Sequence, residues 1–533
     1  MDMDFFASFI DGASAATDLL PVSPLDEGAW AAAARRASGR GLAQGLLAEI
    51  RRQSGALPPS PARERNLESL SREGTTVVVT GQQVGLFLGP LYTLHKAATA
   101  VARARRVERI TGLPCVPVFW LQTEDHDWAE IASAEVLVPS GRKVLALPPE
   151  PPNLARVSLS HRSLPGEVDG LVASLAELLE PLPQAAEVTS LLGRHYRAGV
   201  APGAAFAGVL AELFAREGLV VLDPRTPTVS RLAAPVLRRA VLEHAEIGAL
   251  LGERAAQLSA RGFAEQVRTR GETSLAFFHP RGPGGPRYRL VRDGTGFSTP
   301  EGPVTREVLL ARLEEDALWF STSALLRPVV QDTLLPTAAY VGGPAECTYF
   351  AQLPTVYARF GLELPMIAPR ARLRLIVPKG RRELERLGLR SADTDRPRDA
   401  LLRELVARPP GIPPGDVLRE RLLGPLEREL DGLAPSLTGV DGRLERNVRK
   451  TREHAAFAVG KLVAGLERSL ATRDDVTVKR LDRLLDALRP SGKPQERVYA
   501  FPALAARVGC RALVDAVVAA ADPLSPALRD VNL

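Results

Sequence analysis

The segment Thr75-Thr76-Val77-Val78-Val79-Thr80 constrains this chain more than any other. A β-branched run without polar alternation has no solvent face. It predicts a strand buried on both sides, as at the centre of a parallel sheet covered by helices. The run passes directly into Gly81-Gln82-Gln83-Val84-Gly85-Leu86-Phe87-Leu88-Gly89-Pro90 and then into a helical pattern from Leu91 to about Arg106. Pro90 falls where a first helical turn tolerates proline. Strand, glycine loop and helix make one half of a nucleotide-binding unit.

Further strand signals extend this unit into a sheet. Cys115-Val116-Pro117-Val118-Phe119-Trp120-Leu121 begins about 40 residues after the first strand, a βαβ spacing. Leu219–Leu222 before Asp223, Ala338–Val341 before Gly342-Gly343, and Met366–Ala368 before Arg370 are read as additional core strands. The expected fold class is α/β, a doubly wound Rossmann-like core at 71–395. Residues about 135–215 and 255–320 have a different texture and are read as insertions. Residues 1–70 are expected to form a helical segment, and 491–533 to return to the core.

Between 396 and 490 the pattern turns helical. Leu423, Leu426, Leu430, Leu433, Leu437, Val440 and Leu444 alternate steps of three and four, which is heptad spacing. Pro435 is expected to kink or break that run, giving two or three antiparallel helices rather than one rod. A coiled coil used for dimerisation is the expectation.

Composition excludes several classes. With 45% hydrophobic and 24% charged residues over 533 positions, the chain has material for a large core, so wholesale disorder is excluded. A net charge of +6 from 68 basic and 62 acidic residues is too small and interspersed to argue for nucleic acid. No run approaches the roughly 18 apolar residues of a membrane span. Three scattered cysteines make no CxxC pair and suit a reducing compartment, and the acidic Met1–Phe6 start is unlike a secretory signal, so a cytoplasmic location is expected.

Chemistry is expected at the strand ends. In the first loop, Gly81, Gln82, Gln83, Gly85 and Gly89 would let backbone approach an anionic ligand. Glu124-Asp125-His126-Asp127 follows the second strand and is suited to holding a metal or a substrate ammonium, or to supplying a general base; a solvated turn with a helix cap is the alternative. Asp223 divides evenly between a functional group and a cap. Gly342 and Gly343 offer a second backbone surface, and Glu346 is read as either a site residue or a complement to the helix dipole.

Taken in order, Gly81–Leu86, Gly89–Lys96, Pro117–Trp120 with Glu124–Asp127, Tyr340–Pro344 and Pro494-Gln495-Glu496-Arg497 resemble the bacillithiol biosynthesis protein family BshC. The resemblance spans about residues 70–500. It implies a cysteine ligase that adds L-cysteine to glucosaminyl malate by amide bond formation, in a fold related to class I aminoacyl-tRNA synthetases with two connecting-peptide insertions. It implies a homodimer through the coiled coil, and ATP or ADP as the nucleotide; no metal is expected. Of the synthetase His-x-Gly-His pattern, Tyr92-Thr93-Leu94-His95 keeps only the second histidine, and no Lys-Met-Ser-Lys-Ser loop follows Arg370. On this reading His95, Tyr92 and the Gly81–Gly89 loop face the nucleotide or activated carboxylate. Glu124, Asp125, His126 and Asp127 hold an amine and take its proton, Gly342 and Gly343 wall the pocket, and Arg370 pairs with malate carboxylates. Two other classes stay open: a different nucleotide-dependent ligase or synthetase-like transferase acting on an amino acid, and a non-catalytic dimeric scaffold.

Overall fold

The computed structural model of the chain describes residues 4–20, 23–269, 271–406, 409–438 and 440–533, with backbone only at 434, 435, 437, 438 and 442. The first three residues of the acidic start therefore lie outside the described residues. The chain divides into two units, one comprising 1–374 with 496–531 and the other 375–495.

In the first unit the run at Thr75–Thr80 forms β1 (Thr76–Gln82), followed by helix α1 (Tyr92–Thr111) and β2 (Cys115–Leu121). Strands β3 (Val220–Leu222) and β4 (Thr337–Gly342), helix α2 (Pro344–Phe350) and β5 (Met366–Pro369) complete the core. The five strands form one parallel sheet in the order β5-β4-β1-β2-β3. Each corresponds to a strand expected from the sequence. Strand β1 lies at the centre, where the order reverses, and the crevice outside its C-terminal end is where such sheets bind ligands.

Alternation along β1 explains both layers. Val77 and Val79 face one core with Val116, Val118, Val220 and the helix Pro227–Leu242. Val78 faces the other, against Ala100 and Val107 of α1 and Trp30 of the helix Glu27–Ser38. All three valines are fully buried, each worth about 1.5–3 kcal/mol of apolar transfer. Helix α1 ends at Gly112, whose φ of +71° supplies the left-handed cap. Its first residue is Tyr92, so Pro90 precedes the helix instead of opening it. The Gly89–Pro90 bond is cis.

Between β2 and β3 the chain forms a hairpin (Ser133–Val138 with Gly141–Ala146) and the helices Glu167–Leu179, Ala185–His195 and Pro202–Leu213. Between β3 and β4 lies an antiparallel sheet whose strands include Thr273–Phe278, Tyr288–Asp293 and Phe320–Thr322. Five helices of residues 5–69 pack in this unit, and the helix Cys510–Ala521 packs on α1.

The second unit holds α3 (Gly415–Thr438), α4 (Gly442–Arg473) and α5 (Asp475–Leu488). Helices α3 and α4 pair along their lengths. Contrary to expectation, α3 does not break at position 435. Its backbone runs on to Thr438, as it also runs through Pro425, because pairing with α4 offsets the one hydrogen bond and the steric clash that each proline costs. The side chains of Pro435 and Leu437 lie outside the described residues. Leu423 is buried, whereas Leu433 and Val440 stand exposed, so the stripe is only partly covered within one chain.

Candidate functional site

The C-terminal ends of the sheet surround a cleft of about 480 Å³ in the first unit. Gln82 at the end of β1 and Gln83 just after it line the cleft. Gly81 is required just before them, since a Cβ would stand 2.7 Å from the Trp120 carbonyl oxygen. Lys96, near the start of α1, reaches back so that its Nζ donates to the Gly81 carbonyl at 2.7 Å and to Gln82 Oε1 at 2.8 Å. The same ammonium lies 2.5 Å from Glu346 Oε2 in the first turn of α2. Glu346 also accepts from the Gly343 N–H at 2.8 Å and the Tyr340 hydroxyl at 2.5 Å. Burial opposes ionisation of both partners. Yet Lys96, with these two donors, holds the Glu346 carboxyl below its ordinary value. This ion pair ties the ends of β1 and β4 together.

The acidic cluster after β2 divides by role. Glu124 accepts from the hydroxyl of Thr322 and from its N–H at 3.3 Å. Asp125 accepts from Gln83 Nε2 at 2.7 Å and from the His126 N–H at 2.7 Å, with Arg287 at 3.5 Å. Burial raises the Asp125 pKa, but hydrogen bonding from His126 and Gln83 and the Arg287 charge outweigh it and hold the carboxyl well below the usual range. The His126 ring, partly exposed, lies with Nδ1 3.4 Å from Asp125. Asp127 points away from the cleft and caps the short helix Trp128–Ile131 through the Glu130 N–H. Asp223 accepts from the Thr123 hydroxyl and the Arg225 N–H, a turn-capping arrangement.

Behind the cleft three buried groups are joined by hydrogen bonds. Arg370 grips Glu496 through both terminal guanidinium nitrogens, at 2.6 and 2.7 Å. Glu496 also accepts from His95 Nδ1 at 3.1 Å. His95 is fully buried, its Nε2 has no partner, and burial lowers its pKa, so the ring is neutral with the proton on Nδ1. Arg370 stands 5.6 Å over the Tyr92 ring, and burial pushes the Tyr92 hydroxyl up to about 12.

Of the residues expected from the sequence, Gln82, Gln83, Tyr92, Glu124, Asp125, His126 and Gly343 come together as cleft lining. Gly81, Gly85, Gly89, His95, Asp127 and Gly342 do not line it. Gly85 has a packing reason, because a Cβ there would meet the Gly89 carbonyl at 2.3 Å; Gly342 has one too, with Glu346 Cβ at 3.0 Å. Arg370 lines the cleft but is already neutralised by Glu496, so it is not the free anion partner expected. Sequence reasoning missed Lys96, Arg287, Arg327 and the pairing of Glu496. Lys96 and Glu496 lie within the family motifs; Arg287, beside Tyr288, and Arg327, in the helix Leu326–Leu334 and bonded to the Tyr349 hydroxyl, carry no local signal. Among the described residues, no group of three His, Cys, Asp or Glu side chains is arranged to hold a metal ion.

A parallel α/β domain with its cleft at the strand switch point, joined in sequence to paired long helices, defines a Rossmann-like protein with a C-terminal coiled coil. The family models agree: the bacillithiol biosynthesis BshC N-terminal Rossmann-like domain matches residues 2–371, and the BshC C-terminal coiled-coil domain matches 379–527. The chain belongs to the BshC family. It is 36% identical over 468 residues to a protein of Koribacter versatilis named "Putative cysteine ligase BshC", covering 87% of this chain and 85% of that one. Relatives of the same name in Solibacter usitatus and Salinibacter ruber are 34% and 31% identical, covering 87% and 93% of this chain and 84% and 90% of their own.

Proposed function

We propose that this chain is a carbon–nitrogen bond-forming ligase that joins the carboxyl of L-cysteine to the amine of glucosaminyl malate, completing bacillithiol. Family membership supports the reaction class. The observation that carries the reading to this site is that one cleft holds both signs of charge the reactants need. Glu124 and Asp125 suit an amine. Arg268, Arg289 and Arg497 line the same cleft without an ion pair among the described residues, and suit malate carboxylates or nucleotide phosphates.

A carboxylate is a poor electrophile, and ATP is the co-substrate that would supply its activation. The unpaired Arg268, Arg289 and Arg497 are the residues that would hold it, since the glycines of the loop after β1 do not line the cleft. Asp125, held ionised well below the usual range, is a weak base and is better suited to holding the amine than to taking its proton. His126, beside Asp125 and facing the cleft, is the proton acceptor in this reading, with Asp125 orienting its ring. His95 acts at one remove, by fixing Glu496 and through it Arg370. The exposed Leu433, Phe457 and Leu462 on α3 and α4 support a homodimer through the coiled coil. Three free, buried cysteines fit a reducing cytoplasm, and among the described residues no helix is long and apolar enough to cross a membrane.

Purified protein incubated with L-cysteine, glucosaminyl malate and ATP tests the reading by mass spectrometry. The expected result is ATP-dependent appearance of the amide. In a strain lacking the gene, bacillithiol should vanish and glucosaminyl malate accumulate. Normal bacillithiol in that strain, with no second copy of the gene, would remove the assignment.

A further inference from the structure

Two adjacent side-chain amides in the cleft are oriented in opposite senses by charged neighbours that permit one sense only. An ammonium only donates, so the contact with Lys96 Nζ at 2.8 Å fixes Gln82 with Oε1 towards the lysine. Its Nε2 is left for the cleft, where Tyr92 Oη, at 3.5 Å, holds it only loosely. An ionised carboxylate only accepts, so the contact with Asp125 Oδ2 at 2.7 Å fixes Gln83 with Nε2 towards the aspartate. Asp125 is held ionised, which makes this sense obligatory. Gln83 Oε1 then has no hydrogen-bond partner among the described residues. Both glutamines line the cleft.

We propose, resting on the ligase reading, that Gln82 and Gln83 form the amino-acid subsite: Gln83 Oε1 accepts from the α-ammonium of L-cysteine and Gln82 Nε2 donates to its carboxylate. Asp125 contributes by fixing the sense in which Gln83 presents its amide. Neutral amides suit this task because the carboxyl has to lose its charge during activation. A fixed arginine at the same place would favour the unreacted carboxylate over the activated form.

Calorimetric titration with three probes tests the assignment: L-cysteine, 3-mercaptopropionate (no amine) and cysteamine (no carboxylate). In Gln83→Met, L-cysteine should weaken about tenfold or more, as expected for a hydrogen bond to a charged group, while 3-mercaptopropionate is unchanged. In Gln82→Met, L-cysteine and 3-mercaptopropionate should weaken together and cysteamine should not. Gln82→Asn and Gln83→Asn, which withdraw each amide by one methylene, give the same readout if a methionine variant fails to fold. Equal losses for all three probes, or none, overturn the subsite. Amide formation by the unchanged protein combined with such a result overturns the subsite alone. Failure of the unchanged protein to bind L-cysteine or to form the amide overturns the ligase reading, and the subsite with it.

Discussion

Glu496 accepts from two buried groups at once, and its acid–base behaviour is therefore coupled to folding. Burial opposes its charge, but Arg370 and His95 outweigh burial and depress its pKa below the ordinary 4.5. A depressed folded pKa means that the ionised form favours the fold. The stability it contributes is complete above pH 4.5 and is lost progressively as pH falls below it. Glu496→Gln should cost about 3–5 kcal/mol at neutral pH, because Arg370 is left buried and unpaired. The variant should also show a flatter decline in stability between pH 5 and pH 3; urea unfolding across that range of pH measures both. His126→Ala addresses the chemistry separately. If His126 is the proton acceptor proposed above, its loss should lower the rate about 10²–10⁴-fold with little change in melting temperature. A rate that is retained, with a lowered melting point, would make His126 structural.

The helices differ in how fully one chain covers them. Leu481, Leu484 and Leu488 of α5 are buried with Leu384 and Leu401, whereas Phe457 and Leu462 of α4 are 66% and 58% exposed. On the homodimer proposed above, Phe457→Glu combined with Leu462→Glu should shift the protein from dimer to monomer in light scattering, with the melting temperature of the monomer hardly altered. An unchanged mass would place the dimer contact elsewhere. Heptad spacing identified these helices from the sequence because a period of 3.5 has few other uses. It did not say which leucines a single chain buries, since that depends on what α3 and α4 leave uncovered. Nor did Pro435 end the helix where its local preference would have ended it.

At the scale of the whole molecule, the sheet was the legible part. Unalternating apolar runs such as Thr75–Thr80 and Cys115–Leu121 can be satisfied only by burial on both faces, so pattern and structure had to agree. The site was legible where a strand end delivers it, as with Gln82, Gln83 and Asp125. It was opaque where contacts join distant segments: Arg287 meets Asp125 across 162 positions, and Arg370 meets Glu496 across 126. Histidine 95 was misread as facing the cleft for the same reason, its partner lying 401 residues away. A chain ending at residue 495 should accordingly be less heat-stable and make no amide, and comparing it with the full chain by calorimetry and product assay checks this. That late glutamate has a consequence for biosynthesis. On the ribosome the Rossmann-like domain cannot finish until every residue of the coiled coil has been translated, so Arg370 waits about 126 codons for its counter-ion. Interrupted products therefore carry Arg370 in the core without its counter-ion, a charge whose burial is costly.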